Sequence, residues 1–132
     1  MTDDRPRILI IDDEKQTSRT VALALGAVGY ATQESDSAKD GLQTALTTHP
    51  NLIVLDYHMA DKDGVGVLRE LRKDSWGQTV PVIIASNVYD VDVINDIMSL
   101  GVQDYVLKAD IKLDDLVRLV GQYVPLTPAA GK

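Results

Sequence analysis

Short apolar runs alternate along this chain with longer segments of helical period. The apolar runs lie at residues 8–11, 52–55, 82–85 and 105–107, and a more polar run lies at 30–33. Continuous apolar runs are typical of strands that are buried on both faces, whereas the polar run suits a strand at the edge of a sheet. The pattern therefore predicts five strands.

The segments between these runs carry apolar residues at spacings of three and four, which is the period of a helix with one buried face. The expected apolar stripes are Val21, Leu25 and Val28; Ala38, Leu42, Ala45 and Leu46; Val67, Leu68 and Leu71; Val91, Ile94 and Met98; and Leu113, Leu116, Val117, Val120 and Val124. Asp110 is the expected N-cap of the last helix. Five strand–helix units predict an α/β fold in which helices cover both faces of a parallel sheet.

The composition fits one folded domain and excludes several kinds of site. The chain has 132 residues, of which 45% are apolar and 25% charged, and its net charge is −7. This negative charge argues against nucleic acid and against an anionic membrane as partners. Because the chain has no cysteine, disulfides, thiolate metal sites and a cysteine nucleophile are excluded. The first residues form no apolar targeting segment, so the expected location is the cytoplasm.

Polar side chains follow the inner strands at the point where each strand ends. Asp12 and Asp13 follow the first strand, Asp56 the third, Ser86 the fourth and Lys108 the fifth. The carboxyl ends of parallel strands lie at one edge of a sheet, where such folds bind ligands. Each residue alone is weak evidence, because an acid or a serine after a strand commonly caps a helix. Together they predict a pocket that holds three carboxylates, a hydroxyl and an ammonium group.

The chemistry of this pocket favours a magnesium ion and a phosphoryl group. Closely spaced carboxylates repel one another, so at neutral pH they take up protons or bind a cation. Oxygen ligands suit Mg²⁺, and the chain has no set of histidines and cysteines for zinc. A phosphoryl group between the cation and Lys108 would be stabilised from both sides, with a hydrogen bond from Ser86. Asp56 could then attack phosphorus and form an aspartyl phosphate.

Four motifs surround the predicted pocket. They are Ile10-Ile11-Asp12-Asp13-Glu14, Leu55-Asp56-Tyr57-His58-Met59 followed by Asp63-Gly64, Ile84-Ala85-Ser86, and Asp104-Tyr105-Val106-Leu107-Lys108. With these motifs the chain resembles the receiver domain of response regulators, and is similar to the single-domain chemotaxis type, over about residues 7–124. The resemblance implies a flavodoxin-like, doubly wound (βα)5 three-layer sandwich with its five strands in the order 2-1-3-4-5.

The resemblance also implies the roles of the acidic residues. Asp56 would be the phosphoacceptor and thus the modified residue. Asp13 and Asp56 would bind Mg²⁺ directly, together with the backbone carbonyl of His58, whose side chain is expected to face solvent. Asp12 would act on the ion through water.

The remaining roles concern the phosphoryl oxygens and the conformational change that phosphorylation would cause. By the same resemblance, Ser86 and Lys108 would contact the phosphoryl oxygens, and Tyr105 would be the aromatic residue that turns inward when Ser86 is drawn toward the phosphate. The output face would comprise the fourth helix, fifth strand and fifth helix. Residues 88–124 hold seven aspartates against three basic residues, so a partner with basic or mixed charge is expected there. Homodimerisation through this face is the alternative.

Three positions depart from the family pattern. Ala60 and Ala109 stand where the family usually has proline, and Asn87 stands where it usually has a small residue. Asn87 is expected to cover the phosphoryl group partly and to lengthen its lifetime. The peptide bond between Lys108 and Ala109 is expected to be trans, because a cis bond before a non-proline residue costs about 2.5–4 kcal/mol. The ammonium group of Lys108 should still be directed at the acidic pocket.

Three functions stay open at this point. The leading one is a signalling switch, not an enzyme acting on other substrates, which accepts a phosphoryl group from a sensor histidine kinase or a histidine phosphotransfer protein and dephosphorylates itself. The alternatives are an interaction module that no longer uses phosphate and a Mg²⁺-dependent phosphohydrolase. We expect a monomer or weak homodimer, with residues 1–124 as the domain and 125–132 as a short mobile tail, either a natural terminus or the start of a linker.

Overall fold

Five strands and five helices alternate along the chain in the computed structural model, which describes residues 4–59 and 63–126. The strands are Arg7–Ile11 (β1), Ala31–Ser35 (β2), Leu52–Asp56 (β3), Val82–Ser86 (β4) and Asp104–Leu107 (β5). The helices are Lys15–Val28 (α1), Ala38–Thr48 (α2), Gly64–Lys73 (α3), Val91–Met98 (α4) and Leu113–Tyr123 (α5). The predicted α/β alternation is confirmed.

The strands form one parallel sheet in the order β2-β1-β3-β4-β5. The more polar strand β2 lies at an edge, as its composition predicted. The strand order reverses between β1 and β3, and a doubly wound sheet of this kind opens a crevice there, at the carboxyl ends of the strands. The flavodoxin-like order implied by the resemblance is therefore confirmed.

Successive residues of the inner strands face opposite sides of the sheet, and this alternation builds two cores. Ile8 and Ile10 of β1 belong to the core beneath α1 and α5. Leu9 and Ile11 belong to the core beneath α2, α3 and α4. Because each inner strand contributes to both cores, its sequence is apolar at nearly every position, which is the pattern that predicted these strands.

The apolar stripe of α3 was predicted correctly, and that of α4 was wrong. In α3, Leu68 is fully buried. In α4, Val91 is 68% exposed and Met98 is 41% exposed, whereas Ile97 is fully buried. The face of α4 that packs on the core is formed by Val93 and Ile97, four residues apart. A helix of eight residues has only two turns, so its sequence fits more than one apolar stripe.

Other expectations about helix surfaces and ends also need correction. Val28, Leu46 and Leu113 are exposed, because they lie at the margins of their apolar stripes. Asp110 does not cap α5, which begins at Leu113 after Lys112 and has no side-chain cap. Instead, the backbone N–H of Asp110 donates to the carbonyl of Leu107 in a turn that follows β5. Within the described residues, none of the helices has the length and apolar character required to cross a bilayer.

The predicted tail is only partly described. Leu126 packs against the core beneath α1 and α5 and lies beside Gly29, which ends α1 with a positive φ of 121°. Residues 127–132 lie outside the described residues, and so does the departure from the family pattern at Ala60.

Candidate functional site

Three carboxylates meet at the carboxyl edge of the sheet. Asp12 follows β1 and Asp56 is the last residue of the adjacent strand β3. Together with Asp13 they place carboxylate oxygens within 4.8 Å of one another. Asp12 and Asp56 are only 4% and 6% exposed, whereas Asp13 is exposed. The structure thus brings together the three acidic residues that the sequence placed at one edge.

Lys108 reaches into this acidic cluster from the end of β5. Its Nζ lies 2.7 Å from Oδ2 of Asp12 and 3.4 Å from Oδ1 of Asp56. Burial alone would lower the pKa of Lys108, but its hydrogen bond to Asp12 and the two negative charges raise it, so the ammonium group stays protonated. The peptide bond between Lys108 and Ala109 is trans, as predicted. Glu14, which the sequence did not single out as a lysine partner, lies 3.6 Å from the same nitrogen.

The electrostatic balance of the cluster is unfavourable for Asp56. Burial first, and the charge of Asp12 second, raise the pKa of Asp56 to about 6. Lys108 and a hydrogen bond from the backbone N–H of His58 act in the opposite direction without cancelling the rise. One ammonium group therefore does not neutralise the carboxylates that surround it. This deficit of positive charge, together with an oxygen-only donor set, fits a hard divalent cation such as Mg²⁺.

Backbone contacts hold the acidic side chains in place. The backbone N–H of Asp12 donates to the carbonyl of Ser35, and one carboxylate oxygen of Asp12 accepts the N–H of Glu14 at 2.9 Å. At the other side of the cluster, the start of α3 packs on the backbone of Asp56. A Cβ atom at Gly64 would lie 2.9 Å from the carbonyl oxygen of Asp56, so only glycine fits there without a shift.

At His58, in the loop after β3, the expectation of an exposed side chain is confirmed. Its side chain is exposed and lies edge-on to the ring of Tyr57, with ring centroids 4.9 Å apart. Asp63, whose carboxylate accepts the N–H of Gly66, caps the following helix α3. The sequence analysis placed Asp63 in the motif that follows Asp56 but did not predict its capping role.

Ser86 and Tyr105 are connected through one residue, Val88. Ser86 is buried at the end of β4, and its hydroxyl oxygen accepts the backbone N–H of Val88 at 3.1 Å. The hydroxyl of Tyr105 donates to the carbonyl of the same residue at 2.8 Å. The two predicted switch residues thus hold the two sides of Val88, just before α4. The amino-acid sequence alone does not predict this role for Val88.

Asn87 does not stand free over the cluster. Its Oδ1 accepts the backbone N–H of Ala109 at 3.0 Å. This bond joins the loop after β4 to the loop after β5, which carries Lys108. The sequence marked both positions as unusual but did not predict that they contact each other.

A cavity of about 510 Å³ adjoins the acidic cluster. Asp12, Asp56 and Lys108 are among the residues that line it, together with Val21 of α1 and Leu116 of α5. Two of the three clustered carboxylates, those of Asp12 and Asp56, therefore border this cavity.

A family model and the curated relatives of this chain indicate the same family. The family model of the response regulator receiver domain matches residues 8–120. Over 104 residues the chain is 36% identical to the "Probable transcriptional regulator ycf27" of Porphyridium aerugineum, covering 79% of this chain and 42% of that protein. Over 120 residues it is 30% identical to the regulatory protein AtoC of Escherichia coli (strain K12), covering 91% of this chain and 25% of that protein. The chain thus spans less than half the length of these curated relatives.

A solved structure agrees with this assignment. The receiver domain of the Francisella response regulator 1452 superposes with a TM-score of 0.82 at 27% identity, covering 90% of this chain and 96% of that one. The acidic cluster with its lysine, the order of the strands and the family match over residues 8–120 lead to one conclusion: the chain belongs to the response regulator receiver domain family.

Proposed function

We propose that this domain is a phosphorylation-controlled switch in which Asp56 accepts a phosphoryl group. The donor is a sensor histidine kinase or a histidine phosphotransfer protein, and phosphorylation changes the affinity of the domain for a downstream protein. The observation that carries the proposal is the approach of Asp12, Asp13 and Asp56 within 4.8 Å, with Lys108 3.4 Å from Asp56. A structural role alone does not account for burying like charges this close together.

Asp56 is suited to act as the nucleophile. With a pKa of about 6 it is mostly ionised at neutral pH. One of its oxygens attacks the phosphorus of a phosphohistidine, and a P–O bond forms as the P–N bond breaks. The electron pair of the broken bond stays with the imidazole, which takes up a proton from solvent. Lys108 neutralises part of the negative charge on the phosphoryl oxygens, and the hydroxyl of Ser86 donates to one of them.

A magnesium ion would be held by the carboxylates of Asp13 and Asp56 and the backbone carbonyl of His58, with Asp12 acting through water. When bound, it supplies positive charge to the phosphoryl oxygens and to the crowded carboxylates. Dephosphorylation reverses the modification. A water molecule attacks phosphorus, the P–O bond to Asp56 breaks, and inorganic phosphate leaves while a proton passes to solvent.

The hydrogen bonds of Val88 supply a route from the site to the surface. If Ser86 turns its hydroxyl toward a phosphoryl oxygen, that hydroxyl leaves the N–H of Val88, which lies just before α4. The carbonyl of Val88 then no longer has a fixed position for the hydroxyl of Tyr105. Phosphorylation would in this way shift an equilibrium between two arrangements of this loop and of Tyr105.

The surface next to this route is the proposed output face. Helix α4 buries little of its surface; Tyr89, which precedes it, and Val91, its first residue, are 60% and 68% exposed. Residues 88–124 carry seven aspartates and three basic residues, and one of the latter, Lys108, points into the site. A protein partner with basic or mixed charge fits this face, and we propose that it docks there.

Incubation with a small phosphodonor such as acetyl phosphate, followed by intact-mass measurement and peptide mapping, tests the proposal. We expect one phosphoryl group per chain, on Asp56, formed with Mg²⁺ and not in EDTA. Asp56→Asn should abolish the modification. Asp104→Asn is the matched control, because Asp104 begins β5 and so lies at the amino ends of the strands, away from the site. This variant should be modified like the wild type.

The same experiment separates the alternatives. If the wild type stays unmodified under all conditions, the domain is an interaction module that does not use phosphate. Multiple turnover of the donor without accumulation of phosphoprotein would instead identify a phosphohydrolase. Either outcome would contradict the proposal.

A further inference from the structure

The loops after β4 and β5 are joined by a side-chain hydrogen bond just beyond the end of the sheet. Strands β4 and β5 end side by side, with Ser86 paired to Leu107. One residue further on, the backbone N–H of Lys108 donates to the carbonyl of Ser86 at 2.8 Å. Beyond that, the N–H of Ala109 donates to Oδ1 of Asn87 at 3.0 Å. The side chain of Asn87 thus adds a bond between the two chain segments just beyond the backbone ladder.

These bonds fix the backbone on both sides of the lysine side chain. Lys108 has a flexible four-carbon stem, and a stem of this kind aims its ammonium group only if its root is held. Here the N–H groups of Lys108 and of Ala109 are both tied to the end of β4. The ammonium group lies 2.7 Å from Asp12 and its side chain is 15% exposed.

The bond has chemical requirements at both positions. Residue 109 must have a backbone N–H, which alanine has and proline lacks. Residue 87 must carry an acceptor of the right length, which asparagine has and alanine lacks. The two departures from the family pattern therefore form a matched donor and acceptor. Because residue 109 is not proline, it has a backbone N–H, and Asn87 supplies the oxygen that accepts it.

We propose that Asn87 is a positioning residue that holds Lys108 over the acidic cluster through the N–H of Ala109, and that positions 87 and 109 act as a coupled pair. This inference rests on the proposed function, because it assigns the pair an effect on the rate at which Asp56 is phosphorylated. It differs from the expectation that Asn87 acts by covering the phosphoryl group.

A double-mutant cycle with Asn87→Ala and Ala109→Pro tests the coupling. In the wild-type background Asn87→Ala should slow phosphorylation of Asp56 by acetyl phosphate about 2–10-fold, the effect of one partly exposed hydrogen bond. In the Ala109→Pro background the donor is already absent, so the same substitution should cause no further slowing. Equal fold-changes in the two backgrounds, or no slowing in either, would overturn the proposal.

Asn51→Ala is the matched control. The Oδ1 of Asn51 accepts the backbone N–H of Arg7 at 2.8 Å, which is the same kind of bond near the start of β1, at the amino end of the sheet. Its loss should leave the phosphorylation rate unchanged, even if it lowers thermal stability as much as Asn87→Ala does. An equal slowing by both variants would show that Asn87 acts only through general stability.

Amide hydrogen exchange tests the bond without phosphorylation and so separates its failure from a failure of the proposed function. Asn87→Ala should speed exchange of the Ala109 amide about 5-fold or more while the Lys108 amide stays protected. Asn87→Asp, which restores an acceptor oxygen, should restore the protection. Unchanged exchange at Ala109 in Asn87→Ala would overturn the inference, whatever the phosphorylation assay shows.

Discussion

Leu55 and Asp56 are neighbours in β3 and are buried to almost the same extent, with 0% and 6% of their surfaces exposed. Leu55 packs in the core beneath α2, α3 and α4, where burial of apolar surface stabilises the fold. Asp56 lies among other carboxylates, where burial raises its pKa and disfavours the charged form. One step along a strand therefore leads from a residue that stabilises the domain to one that destabilises it. Burial of Asp56 at the carboxyl edge thus lowers the stability of the fold, and the proposed function assigns this same group the role of nucleophile.

The largest expected effect concerns the stabilising side of this comparison. Leu55→Ala should lower the free energy of unfolding by about 2–5 kcal/mol, because it removes apolar contacts and leaves a cavity in a closely packed core. Urea denaturation followed by circular dichroism measures this change. Leu23→Ala is the control, since Leu23 is 63% exposed on α1, and it should change stability by no more than about 0.5 kcal/mol. Similar effects for both variants would contradict the account of the core.

Asp56→Asn should raise the free energy of unfolding, whereas Leu55→Ala lowers it. The folded protein holds the pKa of Asp56 at about 6, above its value in the unfolded chain, so the proton is bound more tightly in the folded state. The contribution of Asp56 to the free energy of unfolding is greatest below the unfolded pKa of about 4, where the group is protonated in both states. That contribution is lost as the pH rises through 6, because the buried group must then ionise. In EDTA at pH 7.5, Asp56→Asn should therefore be more stable than the wild type by about 2–3 kcal/mol.

The pH dependence of this difference is the check on its cause. Denaturation of both proteins from pH 4 to pH 8 should show a gap that is small near pH 4 and widens to its full size above pH 6 to 7. A gap that does not change with pH would mean that charge burial at Asp56 is not its origin.

Lys108→Met should have a smaller, destabilising effect. The ammonium group is the cation closest to Asp12 and Asp56 in the described residues, and its loss should raise the pKa of Asp56 further. Breaking a fully buried ion pair costs about 3–5 kcal/mol; because Lys108 is partly exposed and its stem still packs as methionine, we expect about 1–2 kcal/mol in EDTA at pH 7.5. Lys73→Met is the control: Lys73 pairs with Glu70 at 2.8 Å on the surface. An effect of more than about 0.5 kcal/mol there, or none at Lys108, would contradict the comparison.

The sequence predicted much of this contrast because its signals are local and its topology is simple. Apolar runs indicated both the strands and their burial, and the residue that follows each run must lie at the carboxyl edge of a parallel sheet. This argument alone brought Asp12, Asp56 and Lys108 together. It required no knowledge of side-chain conformation.

What the sequence did not predict depends on side-chain conformation or on weak periodicity. The bond from Ala109 to Asn87 and the two bonds of Val88 form only once the loops after β4 and β5 are placed side by side. Helix α4 is too short to define its buried face by period, so Ile97 was missed. Asp110 was expected to cap α5, but the chain makes a turn there and the helix begins later.

The effect of Mg²⁺ on the stability gap between wild type and Asp56→Asn tests the central claim most directly. The claim is that the carboxyl edge is destabilising by itself because it is built to bind a cation and then a phosphoryl group. Urea denaturation of both proteins at pH 7.5, in EDTA and in a series of Mg²⁺ concentrations, measures the gap. We predict that Asp56→Asn is the more stable protein in EDTA and that Mg²⁺ stabilises the wild type selectively, so that the gap narrows as Mg²⁺ rises. A gap that is absent in EDTA, or that Mg²⁺ leaves unchanged, would contradict the account.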